Sequence, residues 1–279
     1  MMKLAAMNIT YRYYPFTYFL DSVERLGLDT IELWVGEPHL YVYRNLLPNI
    51  QSIRKDIKRR GIDVACVTPE QCVYPYNLAA NDKEWRMKSI EYFKENIYVA
   101  SELDSKMMLV TSGIGDFSIK REDSWNYALD SIMKLAMIAE REGIYLVLEP
   151  LTKFETNLVT NSIEMKNMIE EIGSFHVKAM ADTVAMHNAK ETPEQYFSLF
   201  KDDLYHFHLM DGDGISDEHL AVGDGTLPIP SYIKSLKTAN YNGVCTLEIM
   251  GYKNYQNPES ALIKSISYIE QCQKTREKE

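Results

Sequence analysis

Four side chains capable of metal ligation or proton transfer stand at the ends of short apolar runs. Glu149 closes Tyr145-Leu146-Val147-Leu148, Asp182 closes Ala179-Met180-Ala181, His208 follows His206-Phe207, and Glu248 closes Cys245-Thr246-Leu247. A carboxylate carried into an apolar environment is costly unless something positive meets it. No Lys or Arg stands at these four run ends. One divalent cation would satisfy all four groups at once. Three carboxylates and one imidazole form a mixed oxygen and nitrogen set that suits Mn²⁺, Co²⁺, Mg²⁺, Ni²⁺ or Zn²⁺ with positions left for substrate. Each residue also has a plainer reading. Asp182 could cap a following helix, and His208 could be a satisfied core histidine.

The strands and helices that carry these groups follow from the hydrophobic pattern. Short apolar runs fall at residues 4–9, 30–34, 63–68, 106–111, 144–149, 176–182, 204–210 and 244–249. They alternate with segments of helical period. Phe16, Phe19, Leu20, Val23 and Leu26 share one helix face that Gly27 terminates, and Trp125, Ala128, Leu129, Ile132, Leu135, Ala136 and Ala139 share another that ends at Gly143. Thr192-Pro193-Glu194-Gln195 spells a helix start, with Asn257-Pro258 opening the last helix. Eight strand–helix steps in a chain of 279 residues predict a single α/β domain over 1–279, a (β/α)8 TIM barrel. A doubly wound sheet would carry a glycine-rich turn after its first strand, and Asn8-Ile9-Thr10-Tyr11 holds no glycine. In a barrel the four groups converge on the C-terminal face of strands five to eight, where catalytic residues of this fold sit.

Other residues on that face are candidates. His39, His187 and His219 fall in loops after strands two, six and seven, and each suits either substrate contact or a solvated loop. His206 lies deeper than His208 and reads as support or core, and His176, at a strand start, as structural. The acids Asp211, Asp213 and Asp217 suit a solvated loop or a site. Tyr74-Pro75-Tyr76-Asn77 after strand three could pack its loop or bind hydroxyls. The net charge of −10 argues against nucleic acid and against an anionic membrane surface. No run approaches the roughly 20 apolar residues that span a bilayer, so a cytoplasmic location is expected. Four scattered cysteines show no zinc spacing and read as free thiols. The polar end from Lys274 reads as a fraying tail. Nothing here fixes the oligomeric state, a homo-oligomer included.

At Glu149, Asp182, His208 and Glu248 the chain resembles the xylose-isomerase-like barrel superfamily, and within it the ketose 3-epimerases, fructoselysine 3-epimerases above all. The resemblance also rests on Ile31-Glu32-Leu33-Trp34 with Pro38-His39, Thr68-Pro69-Glu70 with Tyr74-Pro75-Tyr76-Asn77, Glu149-Pro150-Leu151-Thr152 through Glu155, Asp211 with Asp213-Gly214 and Ser216-Asp217, and Gly223 with Gly225. It implies that Glu149, Asp182, His208 and Glu248 hold one divalent metal and that Glu149 and Glu248 are also the catalytic proton-transfer pair. It implies a small sugar substrate whose C3 inverts through an enediolate, with Glu155 binding it. His39, Glu70, Tyr76, Asp211 and Asp213 are the further substrate-contact candidates. The chain departs from free-ketose epimerases at Ala185, where they place a histidine, and at Gly214, where they place an arginine. An acidic face formed by Glu37, Glu70, Asp211, Asp213 and Asp217 would attract an ammonium and repel a phosphate. The expected substrate is therefore a ketosamine such as fructoselysine or psicoselysine. A free-ketose epimerase, an isomerase or dehydratase, and a non-catalytic sugar-binding barrel are the alternatives.

Overall fold

The computed structural model describes residues 2–42 and 47–274. Beyond Lys274 itself, the expected polar tail lies outside the described residues. Eight strands close in chain order: β1 (Lys3–Met7), β2 (Thr30–Val35), β3 (Asp63–Pro69), β4 (Met107–Thr111), β5 (Tyr145–Glu149), β6 (Val177–Asp182), β7 (Leu204–His208) and β8 (Val244–Leu247). Every pairing is parallel, and β8 pairs back onto β1 with Lys3 opposite Val244. This is the (β/α)8 barrel that the alternating pattern predicts.

Alternation along each strand divides its side chains into two cores. One set, with Leu146, Leu148, Ala179, Ala181, Phe207 and Leu247 among its members, packs outward beneath the helices. The other set turns into the bore, where Cys66, Leu109, Val147 and Met180 form a separate apolar cluster. Glu149 and Asp182 follow the bore parity of Val147 and Met180. Between β6 and β7 the register shifts at Ala179/Met180, after which Met180 lies opposite His206 and Asp182 opposite His208. This bulge sets both histidines facing inward. At the other end of the barrel, Lys178 Nζ meets Asp203 at 2.6 Å and lies over the Phe175 ring at 3.8 Å, so its buried charge is paired.

Helix ends follow the local rules. Thr192 and Gln195 form a capping box at the start of Pro193–Phe200. Gly143 ends Arg121–Glu142 at φ +67°. Three strands, β1, β7 and β8, stop short of their apolar runs, β7 ending at His208 rather than at residue 210. The first run reads as strand through Ile9, yet the chain turns into a 3₁₀ segment at Asn8–Tyr11. The side chain of Asn8 explains the stop. Its Oδ1 accepts from the Trp34 backbone N at 2.6 Å, and its Nδ2 donates to the Trp34 carbonyl at 2.9 Å. An amide that binds the neighbouring strand's backbone replaces the ladder there. The eighth run ends as a strand at Leu247, one residue before Glu248.

Candidate metal centre and active-site cavity

The ends of β5, β6, β7 and β8 bring Glu149, Asp182, His208 and Glu248 together, each offering a ligand atom within 4.8 Å of the others. His208 Nδ1 lies 3.1 Å from Glu149 Oε1, 3.1 Å from Glu248 Oε2 and 3.9 Å from Asp182 Oδ2. Yet Nδ1 and Asp182 Oδ2 are buried with no hydrogen-bond partner. Asp182 caps the following helix and also stands in the cluster. Its Oδ1 accepts from the Ala185 N–H at 2.7 Å and caps the helix Thr183–Asn188, leaving Oδ2 for the cluster.

The sequence reading assigned no chemical role to Glu32, which is fully buried in mid-β2. It accepts from His206 Nε2 at 2.6 Å, from His208 Nε2 at 3.1 Å and from the Thr68 hydroxyl. A carboxylate on Nε2 fixes the ring of His208 and turns Nδ1 toward the three acids. Metal-binding histidines are held in this way by an outer carboxylate. A lone acid at a bore position of an apolar strand was the available signal, but its partners lie in β7, far along the chain.

Titration behaviour reflects the crowding. Burial pushes Glu149 up to about 8 despite His208 beside it. Burial likewise raises Asp182, against the pull of His219 and His208. For Glu248 burial acts in the same sense, but His208 and His219 outweigh it and hold the group at about 2. His219 Nδ1 lies 3.3 Å from Glu248 Oε2, and its own value rises to about 10: burial opposes the proton, and Glu248, Asp182 and Asp217 favour it. Three buried acids crowd His208, and His219 adjoins Glu248. A divalent ion would favour the ionised form of each acid and let every group act as a ligand. The free buried Nδ1 and Oδ2, the 4.8 Å convergence and the three-oxygen, one-nitrogen donor set all fit such an ion.

The cluster opens into a cavity of about 170 Å³, with Glu155, Glu70, Ala185 and His219 on its walls. Burial lifts Glu155 to about 7, and Asp217 adds to the effect. Glu70 is already committed: it accepts from the Cys72 and Val73 N–H groups and from Trp34 Nε1. Of the six substrate-contact candidates, Glu155 and Glu70 line the cavity, whereas His39, Tyr76, Asp211 and Asp213 do not. Their side chains are engaged elsewhere. His39 binds Asn8 Nδ2 and the Tyr14 carbonyl. Tyr76 stacks on Tyr92 at 3.8 Å and shares a hydrogen bond with Tyr41. Asp211 accepts from the N–H groups of Gly212, Gly223 and Leu227. Asp213 accepts from those of Ile215 and Ser216 and from the Ser216 hydroxyl. His187 also lies off the cavity, against Tyr232.

A closed eight-stranded barrel thus carries, at its C-terminal face, a buried acid–imidazole cluster that could hold a metal ion. A family profile described as xylose isomerase-like TIM barrel matches residues 20–272. The chain belongs to that family. A fructoselysine 3-epimerase of Escherichia coli O157:H7 is 27% identical over 249 residues, spanning 89% of this chain and 90% of that protein. A D-psicose 3-epimerase of Enterocloster bolteae is 25% identical over 237 residues, spanning 82% and 75%. Among solved structures, a 3-keto-D-glucoside 4-epimerase from E. coli superposes with a TM-score of 0.80 at 19% identity, covering 98% of this chain and 100% of its own. The last likeness speaks for the fold alone. No helix among the described residues is long and apolar enough to cross a membrane.

Proposed function

We propose that this protein is a divalent-metal-dependent epimerase that inverts C3 of a ketose or ketosamine. The carrying observation is the placement of Glu149 and Glu248 on separate strands, each 3.1 Å from His208 Nδ1 and both on one cavity. A single base can only return the proton it removed, whereas two opposed carboxylates can exchange it from one face to the other. A divalent ion held by Glu149, Asp182, His208 and Glu248 would polarise the C2 carbonyl and acidify the C3–H. One of the two glutamates removes the C3 proton, and the other returns one from the opposite face. Asp182 binds without moving a proton, and Glu32 holds the imidazole.

The names of the relatives support a ketose or ketosamine as substrate, fructoselysine or psicoselysine first. Glu155 is the cavity acid assigned to the ketosamine nitrogen, because Glu70 accepts three bonds at 2.8–2.9 Å whereas Glu155 accepts only long ones, from Thr152 at 3.3–3.4 Å and from Cys72 Sγ at 3.5 Å. Epimerisation in deuterated water with Mn²⁺ supplied should place deuterium at C3 of the product. Deuterium at C1 would make the enzyme an isomerase, and binding without exchange would make it a sugar-binding barrel. Asp182→Ala and His208→Ala should each lose the metal by elemental analysis. Stoichiometric metal in both variants would displace the proposed ligand set.

A further inference from the structure

We propose that Arg12 is the recognition site for a carboxylate on the substrate, so that the preferred ketose carries a C1 substituent ending in that group. The inference rests on the epimerase reading for the identity of the sugar and deepens it. Arg12 is the one Lys or Arg among the described residues lining the cavity, where Glu70, Glu149, Glu155, Asp182 and Glu248 outnumber it and His219. Its guanidinium makes no ion pair and donates no hydrogen bond among the described residues. Instead its central carbon lies 5.6 Å from the Tyr13 ring, 5.6 Å from the Trp34 ring and 5.8 Å from the Tyr255 ring. Aromatic faces hold the cation while leaving its planar fork of donors uncommitted.

The surroundings fix this group in place. The Trp34 indole donates to Glu70 Oε2 at 2.9 Å, which sets the plane under the guanidinium. The ring folds so closely over Gly36 that a Cβ there would come within 2.0 Å of it. The segment that carries Arg12 is fastened on both sides. Asn8 binds the Trp34 backbone, and the Thr10 hydroxyl donates to the Ile249 carbonyl at 2.8 Å. An arginine pre-oriented with free donors loses little freedom when it binds an anion. Arg12 also reaches the outer hollow formed with Glu37 and His39, which places it at the mouth of the cavity.

Strand order puts this cation across the ring from the acid assigned to the ketosamine nitrogen. Arg12 follows β1 and Glu155 follows β5, half of an eight-strand circuit apart. The two walls thus offer opposite charges to one ligand. A single guanidinium suits a monoanionic, planar carboxylate in bidentate geometry. A phosphate dianion would carry its second charge toward Glu70, Glu155 and the acid cluster.

The test is equilibrium binding by titration calorimetry on the Mn²⁺-loaded protein, with fructosyl-glycine, fructosyl-glycinamide and fructose 6-phosphate as probes. Wild type should bind the glycine conjugate about tenfold or more tightly than the amide. Arg12→Gln should bring the two within about twofold by weakening the carboxylate probe alone, and Arg12→Lys should keep part of the preference. Equal binding of both conjugates by wild type, or equal weakening of both in Arg12→Gln, overturns the assignment. A preference for the phosphate that Arg12→Gln removes overturns the carboxylate. C3 deuterium exchange on the same samples separates the two readings. Selective binding without exchange defeats the epimerase and keeps Arg12, whereas exchange without selectivity does the reverse.

Discussion

Two groups of acids share the C-terminal face of the barrel and differ in what meets their oxygens. In the loop after β7, Asp211 and Asp213 each receive three hydrogen bonds from their own loop. At the strand ends, Glu149, Asp182 and Glu248 crowd one imidazole whose Nδ1 has no hydrogen-bond partner, and Asp182 Oδ2 has none either. The first group is complete and builds a loop. The second leaves two buried polar atoms without a hydrogen-bond partner, as the proposed metal ligands would be. Sequence alone shows both as acids near the same face, and satisfaction of their oxygens separates structure from chemistry.

The sharpest way to break this contrast is to remove one acid of the cluster. Glu149→Gln or Glu248→Gln should each lower kcat by about 10²–10⁴-fold on the best ketosamine. Activity within tenfold of wild type in both would dissolve the proton-transfer pair. The next effect is smaller and acts through His208. Glu32→Gln should weaken Mn²⁺ binding by about 10- to 100-fold, because the imidazole loses the carboxylate that orients it. Calorimetry reads this directly, and unchanged affinity would reduce Glu32 to filler of the bore.

Stability sharpens the comparison further. Asp211→Asn should cost about 1–3 kcal/mol in denaturant unfolding, since an amide nitrogen would then face a loop N–H. Asp182→Asn in metal-free protein should cost less, because an asparagine still caps the following helix while the buried charge is gone. A larger loss at 182 than at 211 would reverse the division drawn here. The last effect is one of pH. Glu149 has its proton affinity raised from 4.5 to about 8, so its share of metal-free stability is present below about 4.5 and is lost as pH rises through 8. Glu248, held at about 2, contributes in the other direction, present above 4.5 and lost as pH falls through 2. Melts in chelator should therefore fall in Tm between about pH 5 and about pH 8, and Mn²⁺ should flatten that slope.

How much of this was legible in the sequence follows from the range of the interactions. The barrel was readable because each strand–helix step is local, down to the Thr192 capping box. The four strand-end groups were readable because an apolar run terminating in a polar residue is also a local pattern. Glu32 was quoted only as part of a family signature, since its meaning depends on His206 and His208 across the bore. Arg12 gave no signal, because a 3₁₀ turn set by Asn8 replaced the expected strand end. Asp211 and Asp213 were read through their charge, and the backbone donors that occupy them are invisible until the loop is folded. His219 could be placed on the right face, but its approach to Glu248 could not be read from spacing.

The closure of β8 on β1 gives the site a history as well as a shape. Glu32 and His208 are separated by 176 residues. A chain synthesised as far as β7 already carries Glu149, Asp182 and His208, but it lacks Glu248, and its first strand has no closing neighbour. The cluster is complete only when the last strand is in place. On the proposed metal-dependent reading, cation uptake therefore reports closure of the ring. In refolding, backbone signal should return first and metal uptake afterwards, and the interval between them times the final seam.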